Sequence, residues 1–254
     1  MSTRPAILIT GSATRIGAEI AKGFAAAGWH VVIHHRSSVE EADELAATLP
    51  SAETVECDLS DDDAAVRMIE ELAARLPGLR CLINSASVFR YDGVTDLDPD
   101  TYREAMQVNA LSPARMSQAF LAYAKGAEPR CVIQITDMKL ENPNPDFFSY
   151  TMSKHALAAT IPMLAMAHPD ARIYGIAPGA ILASHDQTED ETEVSHRLNL
   201  LGRKTSADEI VEAALFLASG MAKSGTTLFI DSGQHLLDQD RDVIYLAREK
   251  AMQA

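Results

Sequence analysis

The sequence predicts an α/β fold in which helices cover both faces of one doubly wound, parallel sheet of seven strands. Short β-branched runs alternate with longer segments of helical period, as in successive βαβ units. No repeat or low-complexity linker divides the 254 residues, and one α/β domain commonly has this length. We therefore expect a single domain over residues 1–237 and a helical tail over residues 238–254.

The strands are assigned to short apolar runs, and the helices to the longer segments between them. The predicted strands are residues 6–9, 30–34, 54–57, 80–84, 130–136, 171–177 and 227–231. The predicted helices are residues 17–27, 39–47, 62–76, 100–125, 149–167 and 208–219.

Two segments fall outside this alternation. Residues 181–196 are polar and acidic and directly follow Pro178-Gly179 at a strand end. Because loops at strand ends carry function in such sheets, the segment is either a lid over a substrate or a solvated surface loop. The tail carries apolar residues at helical spacing, and it could pack on this subunit, pack on a neighbour or fray.

Charge and composition exclude several classes of protein. With 36 acidic and 22 basic residues, the formal charge of -14 disfavours nucleic acid and anionic membranes as main partners. Cys57, Cys81 and Cys131 form no CxxC pair and no cysteine/histidine cluster, so we expect free thiols, no metal site and a reducing compartment. The apolar stretch after Met1 is too short for a signal peptide or a spanning helix, and the expected location is the cytoplasm.

A turn with two glycines follows the first predicted strand. It reads Thr10-Gly11-Ser12-Ala13-Thr14-Arg15-Ile16-Gly17 and leads directly into a helix. Glycine permits a sharp turn and a close backbone approach, and the helix N-terminus offers free N–H groups to a pyrophosphate. The turn is therefore either a dinucleotide-binding loop or a purely structural connection.

The end of the second strand indicates which dinucleotide would bind. A carboxylate usually meets a free ribose 2'-hydroxyl here, but this chain has His35, Arg36 and Ser37. An arginine can pair with a 2'-phosphate, so NADP is preferred over NAD. The alternative is a polar surface at a strand end. Asp58, after the third strand, could accept from the adenine amino group or cap a helix.

Tyr150 and Lys154 open a predicted helix with the spacing that places two side chains on one face. A nearby ammonium favours the ionised form of a phenol, and the pair beside a nicotinamide could serve as a general acid. YxxxK alone occurs in many helices, so the motif depends on its position after the fifth strand.

These motifs together resemble the short-chain dehydrogenase/reductase family. The resemblance covers the chain to about Leu237 and also includes Asn84-Ser85-Ala86, Asn109 and Pro178-Gly179. It implies a Rossmann-type fold, a homotetramer or dimer, Tyr150 as proton donor, and Lys154 as the group that holds the nicotinamide ribose and lowers the pKa of Tyr150. Asn109 would support a proton-relay water. The cofactor-binding residues would be Gly11, Arg15, Ile16, Gly17, His35, Arg36, Ser37, Asp58, Leu59, Asn84, Ser85, Ala86, Tyr150, Lys154, Pro178 and Gly179.

The departures from the family pattern are informative. Arg15 stands where the family usually has glycine, Asp137 stands in place of the catalytic serine, and Ser85 and Ser87 replace asparagine and glycine. An acid at position 137 suits a substrate with amine donors, such as an aminopyrimidine edge, or a proton relay to a ring nitrogen.

With Phe89, these departures resemble the pteridine reductase branch, which includes bacterial dihydromonapterin reductases with dihydrofolate reductase side activity. The resemblance implies that Arg15, Ser87, Phe89, Asp137 and Tyr150 bind a dihydropterin, with Phe89 stacked on its ring. NADPH would reduce a C=N bond of that ring. Two alternatives stay open, namely that Phe89 only fills the hydrophobic core and that Arg15 binds only a phosphate. Arg90 could meet a folate tail or be an uninvolved surface residue.

Two other functions are compatible with the chain. A carbonyl reductase, for instance of 3-oxoacyl thioesters, is disfavoured by Asp137. A non-catalytic NADPH-binding sensor is disfavoured by the intact Tyr150, Lys154 and Asn109. The physiological pterin, the oligomeric state, and the reason for Ser232 where relatives often have glycine are not decided by the sequence.

Overall fold

The computed structural model of the chain describes residues 4–126, 129–183 and 187–253. The strands are β1 (Ala6–Ile9), β2 (His30–His35), β3 (Ala52–Glu56), β4 (Leu79–Asn84), β5 (Arg130–Ile135), β6 (Ala171–Pro178) and β7 (Thr227–Ile230). The helices are α1 (Arg15–Ala26), α2 (Val39–Thr48), α3 (Asp62–Arg75), α4 (Pro99–Met106), α5 (Ser112–Tyr123), α6 (Phe148–Ala167), α7 (Glu189–Ser195), α8 (Ala207–Ala218) and α9 (Val243–Gln253).

The seven strands form one parallel sheet in the order β3-β2-β1-β4-β5-β6-β7, which confirms the predicted fold class. Alternate residues of each strand face opposite layers. Ile7 and Ile9 pack against α1 and α8 on one face, and Ala6 and Leu8 pack against α3 and α5 on the other. Burial on both faces explains why the strands are continuous apolar runs.

Three predicted segments differ in detail. The helix predicted over residues 100–125 is two helices, α4 and α5, joined by a π-helical turn at Gln107–Leu111. Residues 181–196 contain the short helix α7, which begins with a capping box between Thr188 and Glu191. Residues 184–186 of that segment lie outside the described residues. The tail contains α9, which packs beside α7.

The order of the sheet determines where a site can form. Strands β2 and β3 lie on one side of β1 and strands β4 to β7 on the other, so the strand order reverses between β1 and β4. In open α/β sheets ligands bind outside the carboxyl ends of the strands at such a switch point. None of the helices within the described ranges has the length and apolar character needed to cross a membrane. The same part of the chain contains no group of three or more His, Cys, Asp or Glu residues suited to a metal ion.

Candidate active site

A cavity of about 480 Å³ opens at the carboxyl edge of the sheet, a volume typical of small-molecule sites. Most of the predicted site residues line it: Gly11, Arg15, Ile16, Gly17, Arg36, Asp58, Leu59, Ser85, Ala86, Ser87, Phe89, Asp137, Tyr150, Lys154, Pro178 and Gly179. His35, Ser37, Asn84 and Asn109 are not part of its wall. The fold therefore brings together positions that are far apart in the sequence.

The turn between β1 and α1 depends on two glycines. Gly11 has a φ of +63°, and a Cβ there would lie 2.9 Å from the Cα of Ala86. A Cβ on Gly17 would lie 2.4 Å from the carbonyl oxygen of Gly11. Thr14, at the N-cap of α1, makes no side-chain capping bond, so the first amides of α1 remain available to an anion.

His34 supports this turn, and no sequence pattern distinguishes it from its neighbours. The backbone N–H of Gly11 donates to Nδ1 of His34 at 3.0 Å, and Nε2 lies 3.0 Å from the carbonyl oxygen of Cys57. These contacts require a neutral ring with its proton on Nε2. Burial lowers the pKa of His34 to about 4, so the ring stays neutral at physiological pH.

The three residues at the end of β2 predicted to bind a 2'-phosphate, His35, Arg36 and Ser37, do not all line the cavity. Arg36 is exposed at the cavity wall, whereas Ser37 is exposed outside it. His35 is buried, and its Nδ1 has no hydrogen-bond partner among the described residues. Arg36 is thus the member of the trio that lines the cavity.

Asp58 is at the cavity wall rather than at a helix N-cap. Asp61 caps α3, while Asp58 accepts from the backbone N–H of Ser60 at 2.9 Å. That hydrogen bond, aided by the charge of Arg36, lowers the pKa of Asp58 below its usual value. The carboxylate is therefore ionised and available as an acceptor.

Arg15 adopts a left-handed backbone conformation with a φ of +57°. For a residue other than glycine this conformation costs about 1–2 kcal/mol. Its guanidinium lines the cavity and donates from Nη2 to the carbonyl oxygen of Ala183 at 3.1 Å. Arg15 thus links the turn between β1 and α1 to the segment that follows β6.

Asn84 and Asn109 form the framework behind the cavity. The Asn84 amide donates to Gln134 and to Ser117, within the protein interior. Asn109, in the π-helical turn, accepts from the Val88 backbone N–H at 2.8 Å and donates to the Val88 carbonyl at 3.0 Å. Asn109 therefore fixes the loop after β4.

Asp137, Tyr150 and Lys154 meet at the end of β5. The hydroxyl of Tyr150 donates to Oδ2 of Asp137 at 2.7 Å, and the backbone N–H of Lys139 donates to Oδ1 at 2.9 Å. Nζ of Lys154 donates to the carbonyl oxygen of Ile135 at 2.9 Å. The carboxyl and the phenol form one hydrogen-bonded pair at the cavity wall.

Burial dominates the electrostatics of this cluster. It raises the pKa of Asp137, although the charges of Lys139 and Lys154 oppose the rise. Burial and the adjacent Asp137 charge raise the pKa of Tyr150 well above its ordinary value. Burial lowers the pKa of Lys154 to about 8.

The resemblance implies that Lys154 lowers the pKa of Tyr150, whereas in this structure burial and Asp137 dominate and raise that pKa. The carboxyl of Asp137 bonds directly to the hydroxyl, whereas the ammonium of Lys154 is directed to the Ile135 carbonyl. Tyr150 therefore keeps its proton at neutral pH, as a proton donor requires.

Phe89 belongs to the cavity and not to the hydrophobic interior. It is 42% exposed, stacks on Phe147 at 4.1 Å between ring centroids and meets the Tyr150 ring edge-on at 4.6 Å. Phe147 has a φ of +54°, an outlier for a bulky residue that places its ring at the start of α6. The pair provides an aromatic wall beside the hydroxyl of Tyr150.

Two remaining predicted positions lie outside the cavity. Arg90 is exposed, pairs with Glu104 at 3.1 Å and does not contribute to the cavity wall. Ser232 has a φ of +53°, and its hydroxyl bonds to that of Thr205 at 2.6 Å. The left-handed conformation explains why glycine would also suit position 232.

The segment after β6 and the C-terminal tail both contribute to the cavity wall. Gln187, Ser195 and His196 line it from the α7 segment, so this segment is more than a solvated loop. Asp242, Val243 and Ile244 line it from the tail, and Lys139 joins them. The sequence indicates that residues 181–196 are either a lid or a surface loop, without distinguishing individual residues. It does not place the tail residues or Lys139 at the site, because the periodicity of the tail indicates only a helix.

Comparison with known proteins places the chain among reductases. Residues 11–235 match the family described as enoyl-(acyl carrier protein) reductase. The chain is 28% identical to a Streptomyces violaceoruber protein named as ketoacyl reductase 2 of the granaticin polyketide synthase, with 92% of this chain and 97% of that one covered. It is also 28% identical to pteridine reductase 1 of Leishmania tarentolae, again with 92% and 97% covered. The structure of FolM alternative dihydrofolate reductase 1 from Brucella canis, complexed with NADP, is 30% identical, covers 95% of this chain and 98% of that one, and superposes with a TM-score of 0.87.

Proposed function

The chain belongs to the short-chain dehydrogenase/reductase family, in the group described as enoyl-(acyl carrier protein) reductase, and from this premise we propose that it is an NADPH-dependent reductase of dihydropterins. One observation carries the proposal. The hydroxyl of Tyr150 donates to a carboxyl, Asp137, at the position where ketone reductases of the family place a serine. The similarity to a pteridine reductase and to an alternative dihydrofolate reductase supports the same substrate class.

The residues around the first turn fit a dinucleotide. The close approach of Gly11 to Ala86 leaves no room for a side chain, and such a glycine lets the backbone approach a pyrophosphate closely. The uncapped first turn of α1 would bind its charge, and Arg36 would bind the 2'-phosphate of NADP. Asp58 would accept from the adenine amino group, and Lys154 would hold the nicotinamide ribose.

Other predicted residues are assigned to this cofactor by their places around the cavity. Ile16, Leu59, Ser85 and the backbone at Pro178 and Gly179 line it and would contact the dinucleotide. Ser37, exposed next to Arg36, would add a hydroxyl contact to the 2'-phosphate, and His35, Asn84 and Asn109 would shape the walls from behind.

The substrate would lie between Phe89 and the bound cofactor. The exposed face of Phe89 suits a flat, electron-poor ring, because such stacking adds about 0.5–1.5 kcal/mol beyond the buried area. Arg15 and Ser87 would bind polar edges of the ring system. Asp137 would accept from an amino group of the pterin or assist Tyr150 at a ring nitrogen.

The reduction adds a hydride to the carbon and a proton to the nitrogen of a C=N bond. NADPH, when bound, supplies the hydride and is left as NADP⁺. The hydrogen-bonded Asp137 and Tyr150 hold the proton at the cavity wall and deliver it to the nitrogen. The raised pKa of Tyr150 keeps that proton in place until transfer.

Oligomerisation, compartment and domain organisation are part of the proposal. We propose one reductase domain over residues 1–237, completed by the tail at 238–254. Met163 and Met166 on α6 and Phe216 on α8 are large apolar side chains exposed on the surface, which supports a homotetramer or dimer. The three described cysteines are free and buried, as expected of a cytoplasmic protein.

The decisive experiment is a substrate panel. Purified protein is mixed with NADPH or NADH and with dihydromonapterin, dihydrobiopterin, dihydrofolate or 3-oxoacyl thioesters, and the absorbance of the cofactor is followed. Turnover of a pterin with NADPH supports the proposal. Turnover of thioesters alone would favour a carbonyl reductase, as the similarity to a ketoacyl reductase suggests. Binding of NADPH without any turnover would favour a sensor.

A further inference from the structure

A buried ion pair that the proposed reaction does not use lies beside Asp137 and Tyr150. Nζ of Lys139 is 2.8 Å from Oδ2 of Asp242 and donates to Oδ1 of Asn144 at 2.9 Å. The Lys139 and Asp242 side chains are only 3% and 7% exposed, and both line the active-site cavity. Burial of such a pair is unfavourable, since both charges lose their hydration.

Lys139 also contacts the proton-delivering pair directly. Its backbone N–H donates to Oδ1 of Asp137, while the Tyr150 hydroxyl donates to Oδ2. The groups that face this pair are Lys139 from the turn after β5, Lys154 from α6, and Asp242 from the segment before α9. The Lys139 charge opposes the burial that raises the pKa of Asp137, and the Asp242 charge helps to raise the pKa of Tyr150.

Asp242 is held in place independently of Lys139. Its backbone N–H donates to Asp146 at 2.9 Å, and its own Oδ1 accepts from the backbone N–H of Ile244 at 3.0 Å. Arg241 pairs with both oxygens of the same Asp146, at 2.8 and 3.1 Å. The tail is thus fastened to the chain just before α6, and this anchor presents Asp242 to the cavity.

We propose that Lys139 and Asp242 are positioning residues: their ion pair fixes the turn whose backbone N–H binds Asp137, and their charges act on the Asp137–Tyr150 pair, so that the C-terminal tail contributes to the active site. This inference rests on the proposed function, in which that pair delivers the proton. It assigns a role to a residue of the tail and to a lysine that is distinct from Lys154.

The two charges act in opposite directions on proton delivery. The pair can donate only while it is protonated, so activity falls as pH rises through its pKa. Lys139→Met removes the positive charge and leaves Asp242 negative, which raises that pKa and moves the basic limb of the pH–rate profile to higher pH. Asp242→Asn removes the negative charge and moves the limb to lower pH.

The test is a pH profile of kcat and kcat/KM for NADPH-dependent dihydropterin reduction by the full-length protein. Each single change should shift the basic limb, and the proton affinity of the pair should change roughly tenfold, as is typical when one neighbouring charge is removed. The double variant should return the limb close to its wild-type position, and Lys139→Arg should leave it there. Lys22→Met and Asp100→Asn are the matched controls, because they make the same substitutions in exposed ion pairs, and they should leave the basic limb at its wild-type pH.

A second measurement does not depend on turnover. The carboxyl carbon of Asp137 is followed by NMR through a pH titration of the protein alone and is assigned with Asp137→Asn. Lys139→Met should raise its midpoint by about one unit. If wild-type protein reduces no dihydropterin, the proposed function fails, but this titration still decides the role of Lys139.

The inference would be overturned if folded variants kept both the wild-type basic limb of the pH–rate profile and the wild-type midpoint of the Asp137 titration. The ion pair would then contribute to packing alone. Circular dichroism verifies that each variant is folded. If Lys139→Met does not fold, the kinetic test uses Asp242→Asn and Lys139→Arg. The inference is supported if the basic limb lies at lower pH in Asp242→Asn and at the wild-type pH in Lys139→Arg, and any other result rejects it.

Discussion

Replacement of Asp137 by asparagine tests the proton-delivering pair most directly. The carboxyl accepts from the Tyr150 hydroxyl at 2.7 Å and from the Lys139 backbone at 2.9 Å. An amide has one acceptor oxygen and no proton to relay, so the variant keeps one of these bonds and points an N–H group at the other donor. It retains the size of the side chain and removes the ionisable group together with one of the two acceptors.

The expected loss follows from the lost contacts. A hydrogen bond to a charged group contributes about 1.5–3 kcal/mol. Loss of a positioned acid lowers a rate by ~10²–10⁴-fold, which corresponds to about 3–5 kcal/mol of barrier. We therefore expect kcat for dihydropterin reduction to fall by ~10²–10⁴-fold, while the affinity for NADPH, measured by fluorescence titration, stays the same.

The matched control is Asp61→Asn at the N-cap of α3, where asparagine caps as well as aspartate. It should keep wild-type kcat and stability. An Asp137→Asn enzyme with a kcat within about threefold of wild type would show that the carboxyl takes no part in the chemical step.

Further predictions concern the cofactor site and the stability of the fold. Tyr150→Phe should lower kcat by at least ~10²-fold in the same assay, and a retained wild-type rate would reject the proton-donor role. Arg36→Ala should raise KM for NADPH far more than for NADH, since only NADPH carries the 2'-phosphate; equal effects would argue against the clamp. Gly11→Ala should lower the free energy of unfolding by about 1–3 kcal/mol more than Gly28→Ala. Both glycines have positive φ, but of the two only a Cβ on Gly11 would meet another atom, 2.9 Å away. Equal losses measured by denaturant titration would contradict this. The pKa of His34 is about 4 in the folded protein against 6.5 in the unfolded chain. His34 therefore contributes up to about 3 kcal/mol to the free energy of unfolding, which is lost as pH falls from 6.5 to 4. A difference in this free energy between wild type and His34→Gln that does not change with pH would refute the reasoning.

Much of the candidate site could be predicted because it lies at the ends of predicted strands. Gly11 and Arg36 follow β1 and β2, and Asp137 follows β5. In a parallel sheet these ends meet at one edge, so the motifs converge without any knowledge of side-chain contacts. The positions of the residues were therefore predictable, but their orientations were not.

Orientation decided which of these residues face the cavity. Neighbours in the sequence point in different directions, so Arg36 lines the cavity while His35 is buried beside it. Asn84 similarly turns toward Gln134 in the interior. The strand-to-loop boundary sets each direction, and the sequence pattern locates that boundary only to within a few residues.

The order of short apolar runs and amphipathic segments by itself determined the sheet, its parallel strands and the place of the cavity, because the period of burial along a chain is a local property. Only the tertiary structure decided that Asp137 bonds to Tyr150, that Phe147 supports Phe89, and that the tail reaches the site. Those contacts depend on long-range packing, as between Asn142 and Gln239, which are 97 positions apart. No local sequence pattern predicts which distant residues come into contact, because the free energy that stabilises each such contact is shared among many buried contacts.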